Sequence, residues 1–224
     1  MTFSIVAGCG AAYGVAVASK FIAVGAVVPA AVGDVGAVAT QSFAKVSYKA
    51  DTLALLRAGA NAAQAVARVT SADPLRESRQ LGVVGPTDAA SFTGAECFAW
   101  AGGVVGGSGD PTDPAGRYAI QGNILAGPEV VDEMERAWLS SAGMPLARRL
   151  LAALLAGDAA GGDSRGRQGA ALYVVEPGGG YDECGVVVDL RVDDHPQAPQ
   201  ELARLLELND LYFGGPEDVE PLQG

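Results

Sequence analysis

A chain of 224 residues is long enough to bury one substantial core without disulfides or a structural metal. Hydrophobic residues make up 49% of it and charged residues only 18%, a balance that excludes a disordered polymer. The formal net charge of −11 removes the basic surface on which nucleic acids and anionic membranes are held, so neither partner is expected.

Residues 2–7 (TFSIVA) and 14–19 (GVAVAS) are short runs rich in β-branched residues, separated by a turn from Gly8 to Tyr13, and read as a hairpin. Segments 24–28 and 34–40 are strand-like, the second punctuated by Gly36. The stretch 51–69 has helical periodicity, with Leu53, Leu56, Ala60, Ala63 and Val66 on one face, and Gly59 with Asn61 offers a point where it can break in two. Residues 79–84 and 89–93 form a second hairpin candidate around Gly85-Pro86. Gly, Pro and Asp dominate from Gly102 to Gly116, which predicts a loop, and YAIQGNIL then reads as a strand entering a turn.

Gly127-Pro128 opens a helix whose first turn carries Glu129 and Asp132, charges that complement the helix dipole. A second helix is expected at 145–156, strands at 169–175 and 185–192, and a short helix at 199–208. One domain over 1–213 and an acidic tail over 214–224 follow, since no repeat or linker interrupts the pattern. Hairpin-linked strands with helices grouped in the middle and at the end predict an α+β layered architecture with antiparallel sheets.

The segment from Phe21 to Thr40 is apolar, but Pro29, Asp34, Gly25 and Gly36 argue against a spanning helix. The start Met-Thr-Phe-Ser lacks a basic region before an apolar stretch, so a cytoplasmic protein is expected. Cys9, Cys97 and Cys184 form no CxxC pair, and the only histidine, His195, has no partner ligand nearby in sequence; no metal site is predicted. The GGSG at 106–109 precedes no helix, so no phosphate cradle or nucleotide cofactor is expected there.

Thr2 carries the most interesting chemistry. A small residue at position 2 permits removal of Met1, and a free N-terminal threonine holds its own base, an α-amine with a pKa of roughly 7.7–8.0. The T-F-S-I-V-A, turn, G-V-A-V-A-S pattern resembles the first hairpin of proteasome β-subunits. Farther on, residues 161–175 (GGDSRGRQGAALYVV) resemble the proteasomal Asp-x-x-Ser-Gly-Gly turn and the strand after it, with Asp163 on the aspartate and Gly166 where the serine stands.

The segments MTFSIVA, GVAVASKFIAVGAVVP, GDVGAVATQSF, FTGAECFAWAG, QGNILAGPEVV, GGDSRGRQGAAL and DLRVDDHP, together spanning nearly the whole chain, are similar to domain-of-unknown-function family 1028. That family is grouped with the N-terminal-nucleophile (Ntn) hydrolases. The resemblance implies a four-layer αββα sandwich of two antiparallel sheets, with a hydrolase site of unsettled substrate. Gly169, where serine is expected in the family, and the loop at 103–116 depart from the pattern.

The resemblance to the proteasome places its active-site lysine near Ala26, so Lys20 is the alternative source of an ammonium beside Thr2. Thr40 aligns with the residue whose backbone N–H supports the oxyanion, and Gln41 offers a side-chain donor beside it. Asp163 would orient the terminal amine or a relay water. Asn123 is placed to bind substrate or cap the helix near 128, and Glu96 to accept from a substrate amine or hold a loop. Arg165 and Arg167 suit a substrate carboxylate or the lacing of a turn.

Two readings therefore compete: an amidohydrolase acting on a small-molecule amide through Thr2, and a catalytically silent Ntn fold that binds a metabolite or partner. The helix pair over 128–156 predicts a homo-oligomer, most simply a dimer. His195 reads as structural or as part of an oligomer contact.

Overall fold

The computed structural model describes residues 2–110 and 112–213. Met1 and the acidic segment 214–224 lie outside the described residues.

The first predicted hairpin forms as β1 (Thr2–Cys9) and β2 (Ala12–Ser19), paired from Phe3↔Ala18 to Cys9↔Ala12. Its side chains alternate with period two. Phe3, Ile5 and Ala7 point to one face, while Val6, Val15 and Val17 point to the other, so both faces of the hairpin are buried. A strand hydrophobic on both sides belongs in the middle of a sheet covered twice. Here β1 and β2 occupy the centre of a six-stranded antiparallel sheet.

The segment expected as a strand at 24–28 is instead one helical turn, α1 (Val24–Val27). Pro29 then opens the short edge strand β3 (Pro29–Val32), where its missing N–H costs no ladder bond. β4 (Gly36–Ser42) pairs with β3 and, on its other side, with β5 (Arg79–Val84), which in turn pairs with β6 (Ala89–Thr93). These four strands form the second antiparallel sheet, in the order β3-β4-β5-β6.

The helical stretch between them breaks where Gly59 adopts φ 90°. α2 (Ser47–Arg57) ends before it, and α3 (Ala62–Ser71) restarts on a capping box made by Asn61 and Gln64. Leu53 and Leu56 of α2 and Ala65, Val66 and Val69 of α3 cover the outer face of the second sheet.

The Gly-rich segment expected to be all loop contributes β7 (Gly102–Gly106), the edge strand beside β8 (Arg117–Asn123). Val104 and Val105 supply its β-branched core, and the ladder to Ile120 and Ala119 outweighs the weak propensity of its three glycines. The buried Arg149 guanidinium donates to the carbonyls of Pro114 (3.0 Å), Ala115 (2.8 Å) and Trp138 (3.2 Å), pinning the rest of that segment.

α4 (Glu129–Ser140) and α5 (Leu146–Ala159) lie against the six-stranded sheet through Val130, Met134, Trp138, Leu150 and Leu154. Each such fully buried side chain contributes about 1.5–3 kcal/mol relative to exposure. β9 (Gly169–Val175) and β10 (Val186–Val192) complete that sheet, in the order β10-β9-β2-β1-β8-β7. The last helix, α6 (Ala198–Phe213), runs five residues beyond the predicted end. Arg148 of α5 pairs with Glu207 and, on that extension, with Asp210.

The layers therefore stack as helices, four-stranded sheet, six-stranded sheet, helices, an α+β sandwich whose inner interface lies between two antiparallel sheets. Among the described residues, no helix is long and apolar enough to cross a membrane.

Candidate functional site

One end of the sandwich gathers the start of β1, β5 and β9 and the end of β2, β4, β6 and β8. Thr2 stands there, opposite Asn123 on β8 and beside the end of β2. Period two turns its side chain, with that of Ser4, into the space between the sheets. The Thr2 hydroxyl lies 3.2 Å from the Ser19 hydroxyl, and the two residues are only 6% and 2% exposed. Ser19 was not singled out from the sequence. The signal that could have found it is the hairpin register, which sets the last residue of β2 opposite the first of β1.

Asp163 is held just beyond Ser19. Its Oδ2 accepts the Lys20 backbone N–H at 2.6 Å, and its Oδ1 accepts the Arg165 N–H at 2.9 Å. The Arg165 guanidinium also reaches it, at 3.3 Å from Oδ2. A bridge between Leu125 and Asp163, with the Ser164 N–H donating to the Ile124 carbonyl, fixes the turn against the strand end that faces Thr2. Asp163 thus belongs to the same strand-end cluster as Thr2, and Arg165 is its brace.

Arg167 turns elsewhere. Its Nε donates to Asp158 at 2.6 Å, and that hydrogen bond holds the guanidinium pKa above its ordinary value. Asp158 also accepts from Gln200 at 2.7 Å. Asp158 and Arg167 line a small cavity together with Phe3, Ser19 and Asp163; at about 30 Å³ it holds a water or two.

Two of the expected donors are engaged elsewhere. The Lys20 ammonium donates to the Arg167 carbonyl at 3.2 Å, at an exposed position, and makes no described contact with Thr2. The Thr40 backbone N–H donates to the Val28 carbonyl at 3.2 Å, so the ladder at the β3 edge already uses the donor assigned to an oxyanion. The cause is the helical turn at 24–27, which brings Val28 alongside Thr40.

Gln41 and Asn123 are buried in a connected set of neutral amides between the sheets. The Gln41 Nε2 reaches the Thr2 carbonyl at 3.3 Å and the Gln80 Oε1 at 2.8 Å, while its Oε1 accepts from the Ser4 hydroxyl at 2.7 Å. Asn123 donates to the same Gln80 oxygen at 2.9 Å, and Gln121 donates to Ser4 Oγ at 2.7 Å. Asn123 therefore does not cap the helix at 128, whose N-terminus has no side-chain cap. Gln80 and Gln121 were also missed by sequence reasoning, because a glutamine alternating with apolar residues looks like a solvent-facing position until a second sheet is known to cover it.

Glu96 is exposed and accepts from the Ser78 hydroxyl at 2.9 Å, which makes it a loop anchor. His195 is exposed, its Nδ1 accepting the Gln197 N–H at 3.1 Å in the turn before α6. Among the described residues, no three His, Cys, Asp or Glu side chains converge as a metal site would need.

The site takes its form on a fold with a known counterpart. A crystal structure of a protein from Silicibacter pomeroyi, matched to the family model DUF1028, superposes with a TM-score of 0.81 at 32% sequence identity, over 93% of this chain and 86% of that one. No curated protein matches. The model of the family described as "Family of unknown function (DUF1028)" matches residues 2–202. About nine-tenths of the 224-residue chain, including every strand and the whole Thr2 cluster, falls inside that match, and the chain belongs to the DUF1028 family.

Proposed function

We propose that this protein is an Ntn amidohydrolase in which Thr2, made N-terminal by removal of Met1, attacks the carbonyl carbon of a small-molecule amide. The carrying observation is the buried pair of hydroxyls, Thr2 Oγ1 and Ser19 Oγ, at the end of the central strand of a two-sheet sandwich. A free threonine at that position supplies nucleophile and base from one residue.

The hydroxyl proton passes to the α-amine as the Oγ–carbon bond forms, then to the departing amine as the C–N bond breaks. Water attacks the resulting ester and restores the hydroxyl. Ser19 orients the nucleophile. Asp163 holds the Lys20 and Arg165 backbone around it.

A second reading has its own support. The Lys20 ammonium and the Thr40 amide, the groups expected to supply charge and oxyanion stabilisation, are both engaged elsewhere, as in a site that binds a ligand without cleaving it.

A β-lactone, which acylates a nucleophilic hydroxyl by ring opening, separates the two. Intact mass should show loss of Met1, and peptide mapping should place one lactone adduct on Thr2. Thr2→Ala, with an unchanged circular dichroism spectrum, should take up none. Processed wild-type protein that stays unlabelled would remove the nucleophile.

A further inference from the structure

Two large aromatic side chains stand in the open near Thr2. Phe43 and Phe98 are 57% and 59% exposed, with ring centroids 6.1 Å apart and planes tilted by 54°. They come from separate elements, Phe43 just past the end of β4 and Phe98 in the connection from β6 to β7.

Each is tied to the site through a short path. Phe43 lies two residues beyond Gln41, whose side chain reaches the Thr2 carbonyl. The Phe98 carbonyl accepts the Ile124 N–H at 2.8 Å, next to Asn123, the residue opposite Thr2. Both are held firmly. The Arg79 guanidinium donates to the Phe43 carbonyl and pairs with the buried Asp73 at 3.1 Å. The Arg79 carbonyl accepts from the Gly94 N–H at 3.0 Å and the Cys97 thiol at 3.3 Å, on the two sides of the loop that leads to Phe98.

Beside the rings runs an open groove between the edge strands β6 and β7, lined by Ser91, Thr93, Cys97, Ala99, Gly102 and Gly103. Its small side chains leave backbone accessible. Its floor reaches the amide network, since Gln80 donates to Thr93 Oγ1 at 3.0 Å and to the Gly102 carbonyl at 3.3 Å. Exposed aromatics next to a groove with a polar floor suit a flat ring joined to an amide-bearing chain. Because the backbone that carries both rings is tied down before binding, little of it needs ordering when a ligand arrives.

We propose that Phe43 and Phe98 form the specificity subsite of the Thr2 site and select amides that carry an aromatic acyl group. This rests on the amidohydrolase reading for the location of the scissile bond. A second copy of the chain is the competing occupant. Two phenylalanines cover at most about 500 Å², against roughly 800 Å² per partner in a standard interface, and their hydrogen-bonded paths lead to Thr2.

The test is binding of N-phenylacetylglycinamide and N-acetylglycinamide to Thr2→Ala protein, measured by calorimetry, so that it does not depend on turnover. The aromatic amide should bind at least ten-fold more tightly. Phe43→Ala/Phe98→Ala should abolish that preference, and the bulk-retaining pair Phe43→Leu/Phe98→Leu should reduce it while keeping the fold. Equal affinities, no binding of either amide, or a preference untouched by both variants would overturn the subsite. So would Phe variants that turn a dimer into a monomer in light scattering without changing the preference. If Thr2 resists β-lactone acylation while the aromatic preference holds, the nucleophile fails and the subsite stands.

Discussion

The space between the two sheets is built in two ways. On the side of β2, β3 and β9 it is filled mainly by Val15, Val17, Val28, Ala31, Ala171 and Val175, with the Tyr13 phenol as a buried polar exception. On the side of β1, β5 and β8 it is filled by Ser4, Gln41, Gln80, Gln121 and Asn123, all buried and mostly bonded to one another. Apolar packing tolerates small shifts, because dispersion has no direction. A set of bonded amides does not: each group needs its partner at one distance and angle, or it is left unsatisfied, as the buried Gln121 Oε1 is. The molecule thus places its directional half under Thr2 and its tolerant half away from it. A site that must hold a hydroxyl within a fraction of an ångström gains from that division.

Replacing Gln80 tests the directional half most severely. Gln80→Leu removes the acceptor shared by Gln41 and Asn123 and the donor to the Gly122 carbonyl at 2.7 Å. Buried groups left without partners make the expected loss on the order of 4 kcal/mol in urea unfolding. Acylation of Thr2 by the β-lactone should fall with it. Val15→Ala in the apolar half should cost less, about 2 kcal/mol from lost burial and a partly relaxed cavity, and leave the acylation rate near wild type. Equal effects of the two substitutions on acylation would erase the distinction between the halves.

A smaller and pH-dependent effect sharpens it. Burial alone would raise the Asp73 pKa, but the Leu75 N–H, the Tyr48 hydroxyl and the Arg79 guanidinium outweigh it and hold the carboxyl at about 2. The same contact, with burial, pushes the Tyr48 phenol up. A depressed carboxylate stabilises the fold above its ordinary pKa, roughly 3.9, and that contribution is lost as pH falls toward 2. Arg79 opens β5, so hydrogen exchange between pH 4 and 2 should rise first at the β5 amides and later in β2 and β9. Asp73→Asn should flatten that dependence.

Much of the layering was legible in the sequence because it follows from local rules. Short β-branched runs about a glycine-rich turn marked β1 and β2, Gly85-Pro86 marked the turn between β5 and β6, and Gly59 with Asn61 marked the break between α2 and α3. The misread elements are those where tertiary contacts override propensity. β7 is glycine-rich and exists because β8 offers it a ladder, and 24–27 curls into a turn ahead of Pro29 although its valines favour a strand. At the site, Thr2 and Asp163 could be singled out because residue type and resemblance pointed to them. Ser19, Gln80 and Gln121 could not, since their roles depend on which strand lies opposite. Lys20 follows the end of β2 and Thr40 stands near the end of β4, but their donors are bonded to Arg167 and Val28.

Gln121 owes its place to an absence on the facing strand. Gly82 of β5 presents no side chain, and a methyl group built there would run into the Gln121 amide. Positions 82 and 121 therefore behave as a single locus in descent. Among relatives of this chain, a larger residue at 82 should be found only alongside a smaller one at 121, and a lineage that acquired either change alone would carry a strained sheet interface until the second arrived.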